Sequence, residues 1–447
     1  MNKSLDIKLA EIRRNPQTRT FIIADAKDPD MARGVQALGR LSPTDPRVRA
    51  LKSPEAFRPD EAKYRTVEDF CELIREVTRQ GLIDIMLMSA STNERLTIKE
   101  RLFDDSHITP AARANDTTDI WVVRGGRYVG EASRPFRSAT IDHIQCGKVE
   151  CEPKERVLGA NLGLYSVTFN NCLRRDMETS REFKEFREEA ERKSFRYFLE
   201  VFDPNVDSGL ATEKLGAFVN DNIVRSLAGV TERGRPVFLK MVYHGPKFTE
   251  ELAAYDPSLP VGILGGGAGT TYDAFKLIAE AQKYGARVAL FGRKINNAEH
   301  QLAFIEMLRR IVDGQVQPEE AVRAYHGVLQ GLGIKPQRPL AEDLQLTDTS
   351  MSYAGGTSVT FSRKPVAAVS DRRSAGRLPE PAASSGNGGQ RPPPQPAATK
   401  SVSYSPPAAI TSWPTLPDGS PDLTRMSNAE RVAYFKARLN HKLGMKS

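Results

Sequence analysis

The sequence predicts an α/β protein of the (β/α)8 barrel type, with an irregular insertion at about 103–160 and a disordered C-terminal tail ending in a short helix. Three observations lead there. Short apolar runs alternate with amphipathic segments over roughly 330 residues, giving about eight strands, within the span of such a barrel. The stretch Pro260–Val312 shows the repeating unit most clearly: an apolar run, Val261–Leu264, feeds Gly265, Gly266, Gly267 and Gly269, and a helix opens at Thr270 or Thr271. A second run, Arg287–Phe291, then ends in Gly292-Arg293 before a helix through Leu302, Ile305, Leu308 and Ile311. Strand, glycine turn and helix, repeated, imply a parallel sheet whose turns lie at the carboxyl ends of strands, where such folds bind ligands. A doubly wound sheet alternates in the same way, so the barrel rests on the strand count.

The other elements follow in order. Ser4–Arg14 places Leu5, Leu9 and Ile12 on one helix face, a lid for one end of the domain. Thr20–Ala26 is the first strand, and Pro43–Pro59 a polar, proline-spaced loop. Thr66–Gln80 is a helix stopped by Gly81. Leu82–Met88 is the second strand, followed by Ser89, Ser91, Thr92 and Asn93 as helix-capping residues and a helix over Glu94–Leu102. Within the insertion, Asp119–Val123 and Ala139–Gln145 are both strand candidates. Leu162–Phe169, Phe195–Phe202 and Pro236–Tyr243 read as strands, with helices over Arg174–Ser194 and Val206–Ala228 between them. The barrel is expected over 1–340, a linker over 341–426 and a basic amphipathic helix over 427–444. The linker reading rests on 11 prolines among Ser, Ala, Gly and Gln in residues 371–421. The helix reading rests on the capping-box form of Ser427 and Glu430.

The net charge is +8, but residues 371–447 hold +6 of it, so the body is nearly neutral and lacks the basic face of a nucleic-acid binder. The N-terminus resembles neither a signal nor a transit peptide, and no run approaches a membrane span. The four cysteines (Cys71, Cys146, Cys151 and Cys172) form neither a zinc pattern nor a disulfide framework, and free thiols in a reducing compartment are expected. The reading is a cytoplasmic protein without metal or cofactor, with neither nucleic acid nor membrane as partner. It is compatible with a homo-oligomer, and leaves a protein partner for the terminal helix.

Lys240 is the leading candidate for chemistry. It interrupts an apolar strand, PVFLKMVY, where desolvation lowers an amine's pKa and makes it nucleophilic toward carbonyls. The competing reading is a structural ion pair with Glu200, which interrupts the preceding strand in the same way. Asp25 ends the first strand, where it serves as a general acid or base, or caps the next turn. Phe21, Ile23 and Asp25 share one side of that strand, compatible with an inward carboxylate. The two glycine turns suit a phosphate: Gly265, Gly266, Gly267 and Gly292 let backbone amides approach, and Arg293 adds a guanidinium. Plain turn geometry is the alternative.

With VFLKMVY, a double-glycine turn after the next strand and FGRKIN after the last, the chain resembles the class I aldolase superfamily of TIM barrels. It is nearest in pattern to archaeal-type fructose-bisphosphate aldolases, and more remotely similar to tagatose-bisphosphate and deoxyribose-phosphate aldolases. The resemblance is best over 160–312 and absent from 340–447. It implies a Schiff-base lysine at Lys240, phosphate binding at Gly265, Gly266, Gly292 and Arg293, and proton transfer or hydroxyl binding at Asp25. The family's tyrosine proton donor on the fifth strand has no counterpart, since that strand reads Glu200-Val201-Phe202.

The expected function is therefore a lyase that makes or breaks a C–C bond in a phosphorylated carbonyl or sugar through a lysine Schiff base. Glu200 or Asp25 would move the proton. The alternatives are a diverged barrel that binds a phosphometabolite or a protein, and a phosphate-using isomerase.

Overall fold

The computed structural model describes residues 2–41, 64–266 and 269–347, with isolated positions between 414 and 434. The chain divides into two compact units, Met1–Val366 and Ala367–Ser447.

In the first unit eight parallel strands close into a barrel. They are β1 (Ile22–Lys27), β2 (Ile85–Met88), β3 (Thr109–Arg113), β4 (Leu162–Thr168), β5 (Arg196–Phe202), β6 (Leu239–Met241), β7 (Gly262–Gly265) and β8 (Val288–Phe291). Each strand pairs with its neighbours in sequence, and β8 pairs with β1 to close the ring. The barrel expectation holds, and closure removes the doubly wound alternative.

The N-terminal half of the barrel interior is apolar. Ile22, Ala24, Ile85, Leu87, Leu162, Leu164, Phe198 and Leu290 meet there, with the Phe198 and Phe238 rings stacked at 4.6 Å. Helix α1 (Ser4–Arg14) covers this end as expected, burying Leu5, Leu9 and Ile12 against the same cluster. Outside the barrel, α2 (Val67–Gln80), α6 (Thr271–Lys283), α7 (Gln301–Val312) and α8 (Pro318–Gly331) pack over β1, β2, β7 and β8. Helices α3 (Leu173–Arg192), α4 (Leu215–Leu227) and α5 (Pro246–Tyr255) cover β4 to β6. The ends of α2 follow local chemistry: Thr66 and Asp69 form a capping box, and Gly81 stops the helix at φ 71°.

The third strand is not where the sequence placed it. It is Thr109–Arg113, while Asp119–Val123 is loop and Ile141–Cys146 is a short helix capped by the Thr140 side chain. TPAAR contains proline and two alanines, weak strand formers, and is held by pairing with both neighbours. The irregular part therefore runs from 114 to 161, and includes a two-stranded ribbon of Asp116–Thr117 and Pro135–Phe136. The helix expected over Glu94–Leu102 is instead one α-turn, Ala90–Asn93, continued by a π-helical turn over Glu94–Lys99.

The cysteine expectation also needs correction. Cys146 and Cys151 form a disulfide. The helix Ile141–Cys146 ends at Gly147 with φ 76°, which turns the chain back and brings the two Cα atoms to 6.0 Å. Cys71 and Cys172 are free.

The expected loop Pro43–Pro59, the linker and most of the terminal helix lie outside the described residues. Within the second unit, Ser427 and Glu430 make both halves of the expected capping box: the Ser427 amide donates to the Glu430 carboxylate at 2.7 Å, and the Glu430 amide to Ser427 Oγ at 3.3 Å. Among the described residues, no helix is long and apolar enough to cross a membrane.

Leu9 is 3% exposed in the plug beneath the barrel. Leu9→Ala is expected to lower stability by about 3 kcal/mol in urea unfolding; an unchanged midpoint would mean that α1 contributes little to closing the barrel.

Candidate active site

Strand register brings Glu200 and Lys240 side by side as Cα partners on β5 and β6, and Ser166 beside Glu200 on β4. All three alternate with outward residues and so face the interior, above the apolar layer. Lys240 Nζ lies 2.5 Å from Glu200 Oε1, with Glu200 wholly buried and Lys240 4% exposed. The contact is one of charge, because Oε1 has no aligned hydrogen bond. The other carboxylate oxygen is better held. It accepts 2.6 Å from Ser166 Oγ and lies 3.7 Å from an Arg113 Nη.

Arg113, at the end of β3, extends the network. Its Nη1 donates to Ser166 Oγ at 3.1 Å and its Nε to Asp28 Oδ2 at 2.5 Å. Asn115 fixes Ser166 from the backbone side, accepting from its amide at 2.7 Å and donating to its carbonyl at 2.8 Å. Asp28, Arg113, Ser166, Glu200 and Lys240 thus form one polar ladder at the carboxyl ends of the strands, where barrel enzymes place their chemistry. Arg113, Asp28 and Ser166 escaped sequence reasoning. A strand ending in Arg113, two residues before Asn115-Asp116, was the available signal.

The mouth above this ladder is closed. Phe202, Val242 and Leu264, one interior position beyond the ladder, cluster with Ala32 from the β1–α2 segment and Ile120 from the insertion. The Val122 amide donates 2.7 Å to the Ala32 carbonyl, joining the two covering segments. Asp119 ties the insertion down by accepting from Thr168 Oγ1 at 2.8 Å, and Asn205 does so by donating to the Glu131 carbonyl at 2.7 Å. Among the described residues, neither Lys240 nor Glu200 lines the cavities of 790, 340 and 210 Å³.

Asp25 is not part of the ladder, and the inward carboxylate expected from the sequence is corrected. Its register partners Met86 and Phe291 belong to the layer between barrel and helices, whereas Ala24 faces the interior. Asp25 is fully buried there, 3.3 Å from Lys27 Nζ without hydrogen-bond alignment. Lys27 donates to Gln301 Oε1 at 3.1 Å and lies over the Phe70 ring. Burial pushes the Asp25 carboxyl up to about 6, against the pull of Lys27, and pushes the Lys27 amine down.

The glycine turns are at the ends of β7 and β8, but much of their chemistry is already used. A Cβ on Gly265 would come within 2.1 Å of the Phe291 ring, and one on Gly292 within 3.0 Å of the Ala26 carbonyl. Packing of the barrel wall therefore accounts for both glycines. At the start of α6, the Thr270 amide donates to Asp273 Oδ2 at 2.6 Å and the Thr271 amide to Asp343 Oδ1 at 2.7 Å. Carboxylates of the chain itself occupy that helix N-terminus. Asp343 comes from a short helix, Leu340–Asp343, beyond the point where the sequence pattern fails. Arg293 is half-buried and lines a polar cavity of 210 Å³ with Lys294 and Arg338. Lys294 donates to the carbonyls of Gly269 and Thr270 at 2.7 and 2.9 Å, and burial lowers its amine to about 8. Gly267 lies outside the described residues.

Neither family models nor curated proteins match the chain. Among solved structures it is similar to an archaeal fructose 1,6-bisphosphate aldolase, at 16% identity and TM-score 0.45 over 69% of this chain and 99% of that one. It is similar also to a fructose-bisphosphate aldolase from Slackia heliotrinireducens, at 12% identity and TM-score 0.48 over 72% and 89%. An orotidine 5'-phosphate decarboxylase from Pyrococcus horikoshii aligns at 12% identity and TM-score 0.32 over 54% and 94%. At such scores the likeness carries no chemistry, which rests on the residues of this barrel.

The Asp25 environment makes a prediction about pH. Its carboxyl holds a proton more tightly folded than unfolded, so its contribution to stability is full below about 4 and is lost as pH rises through about 6. Asp25→Asn should remove a fall in unfolding free energy of order 2–3 kcal/mol between those values. Unfolding curves at stepped pH that are parallel for the two proteins would refute it.

Proposed function

We propose that the protein is an aldolase-like lyase acting on a phosphorylated carbonyl compound through Lys240. The supporting observation is the polar ladder. Five charged or hydroxyl side chains cross the C-terminal half of a barrel whose other half is apolar, and one of them is a lysine amine touching a carboxylate. A buried ion pair is a poor device for stability alone, since apolar residues of equal volume often hold a fold as well or better.

In this reading Glu200 Oε1 takes a proton from Lys240 Nζ, 2.5 Å away, as substrate enters. The neutral amine adds to the carbonyl carbon, Glu200 returns its proton to the carbinolamine hydroxyl so that water leaves, and the iminium accepts the electron pair of the breaking C–C bond. Glu200 then receives the proton of the departing hydroxyl. Asp25, on the far side of the barrel wall, is excluded from that role. Ser166 and Arg113 hold Glu200 in place, and the route calls for no metal. Gly266, Gly292 and Arg293 remain the proposed phosphate contacts. Ala32 and Ile120 must move to admit substrate.

One observation favours a second reading, in which the barrel has lost this chemistry and binds a phosphometabolite or a partner protein: the apolar closure over an already paired lysine. The cytoplasm is the proposed setting on the substrate class alone; the Cys146–Cys151 bridge counts against a reducing one.

Borohydride trapping separates the readings. With dihydroxyacetone phosphate, fructose bisphosphate and a panel of phosphorylated aldehydes, peptide mapping should find a reduced adduct on Lys240 that is absent from Lys240→Ala. Ile120→Ala, which opens the mouth, should raise the trapping rate several-fold. No adduct with any compound would end the Schiff-base proposal, and turnover surviving in Lys240→Ala would point to a phosphate-using isomerase.

A further inference from the structure

A large cavity lies at the opposite end of the barrel. It measures 790 Å³, within the range of small-molecule sites, and opens where β5 and β6 begin. Five arginines line it (Arg13, Arg187, Arg196, Arg233 and Arg235) against two glutamates, Glu191 and Glu232. Arg196 and Arg235 are engaged by Asp6 and Asp256 at 2.5 Å each. For Arg13, Arg187 and Arg233 no carboxylate partner is found among the described residues. Arg187 lies 5.1 Å over the Phe183 ring, and its Nε is buried without an acceptor. A cavity-lining guanidinium without a carboxylate partner favours an anion that accepts from it.

A second cavity, of 340 Å³, shares Val230, Arg235 and Leu259 with the first, so the two adjoin. It is a groove between α4 and α5 of mixed lining, walled by the aliphatic and aromatic side chains of Ile223, Val224, Leu227, Leu252 and Tyr255 and bordered by Arg235 and Asp256. Tyr255 is 67% exposed at its edge.

We infer that this end of the barrel is a binding site for a small amphiphilic anion. Its phosphate or similar head rests on Arg13, Arg187 and Arg233, and its aliphatic part lies in the α4–α5 groove. Arrangement of charge and apolar surface sets this chemistry: the arginines alone would serve any polyanion, and the groove alone any apolar chain. The site is independent of the Lys240 ladder, which lies at the other ends of the strands, and does not rest on the lyase reading.

Titration calorimetry with octyl phosphate, inorganic phosphate and 1-octanol tests it on the full chain. Octyl phosphate should bind at least about tenfold more tightly than either fragment, since both halves of the site must be filled. Arg13→Gln with Arg233→Gln, two exposed side chains whose loss leaves the fold intact, should weaken octyl phosphate about tenfold. Val224→Trp, filling the groove, should weaken octyl phosphate but leave inorganic phosphate unchanged. Equal affinity of wild type and the arginine variant would overturn the inference, as would inorganic phosphate binding as tightly as octyl phosphate. Retention of the protein on phosphatidylglycerol vesicles without affinity for free octyl phosphate would overturn the soluble-ligand assignment.

Discussion

The charge contact between Lys240 and Glu200 sets what the C-terminal half of the barrel must contain. Taking both groups out of water costs several kcal/mol per ion, and their attraction offsets this only when the remaining lone pairs and protons are met. Ser166 supplies one hydrogen bond and Arg113 brings a second cation, which in turn needs Asp28. The ladder spans β1 to β6 because each member leaves a requirement that the next one meets. Two carboxylates and two cations make the set neutral, so it can be buried as a unit where a single charge could not.

Much of the barrel was legible because its signals are local. Apolar runs, helix caps at Thr66 and Thr270, and the stop at Gly81 are written within a few residues. The adjacency of Glu200 and Lys240 was legible too, since both break apolar strands that neighbour each other in sequence. The failures arise where information is not local. TPAAR becomes a strand through pairing that no single segment encodes. The facing of Asp25 was undetermined because β1 is apolar on both sides: Ile22 and Ala24 face inward, Phe21 and Ile23 outward. Parity then has no polar face to mark it. Cys146 and Cys151 meet because Gly147 adopts a left-handed turn, which spacing alone did not reveal.

Closure of the mouth changes how the lysine is read. A lysine under a lid of Ile120, Ala32, Phe202, Val242 and Leu264 is shielded from water, which strengthens its attraction to Glu200. A carbonyl substrate that displaced the lid would bring its own dipole and let the proton pass to Glu200. Dryness and pairing at rest are therefore compatible with chemistry only if the lid opens, and Asp119 and Asn205 set the cost of opening through their hydrogen bonds.

The anchor half of the site is narrower than the glycine cluster suggested. Glycine is the residue of close approach, but what approaches Gly265 and Gly292 is the barrel itself, the Phe291 ring and the Ala26 backbone. The α6 N-terminus is the natural place for an anion, and one is there already, in the carboxylates of Asp273 and Asp343. An incoming phosphate would have to compete with two tethered carboxylates at effectively high local concentration, a contest that a dilute ligand loses. Arg293 lines the polar cavity beside this helix together with Arg338 and with Lys294, which donates to two carbonyls. In the proposed site a phosphate would therefore meet the cationic side chains of that cavity rather than a glycine-rich cradle.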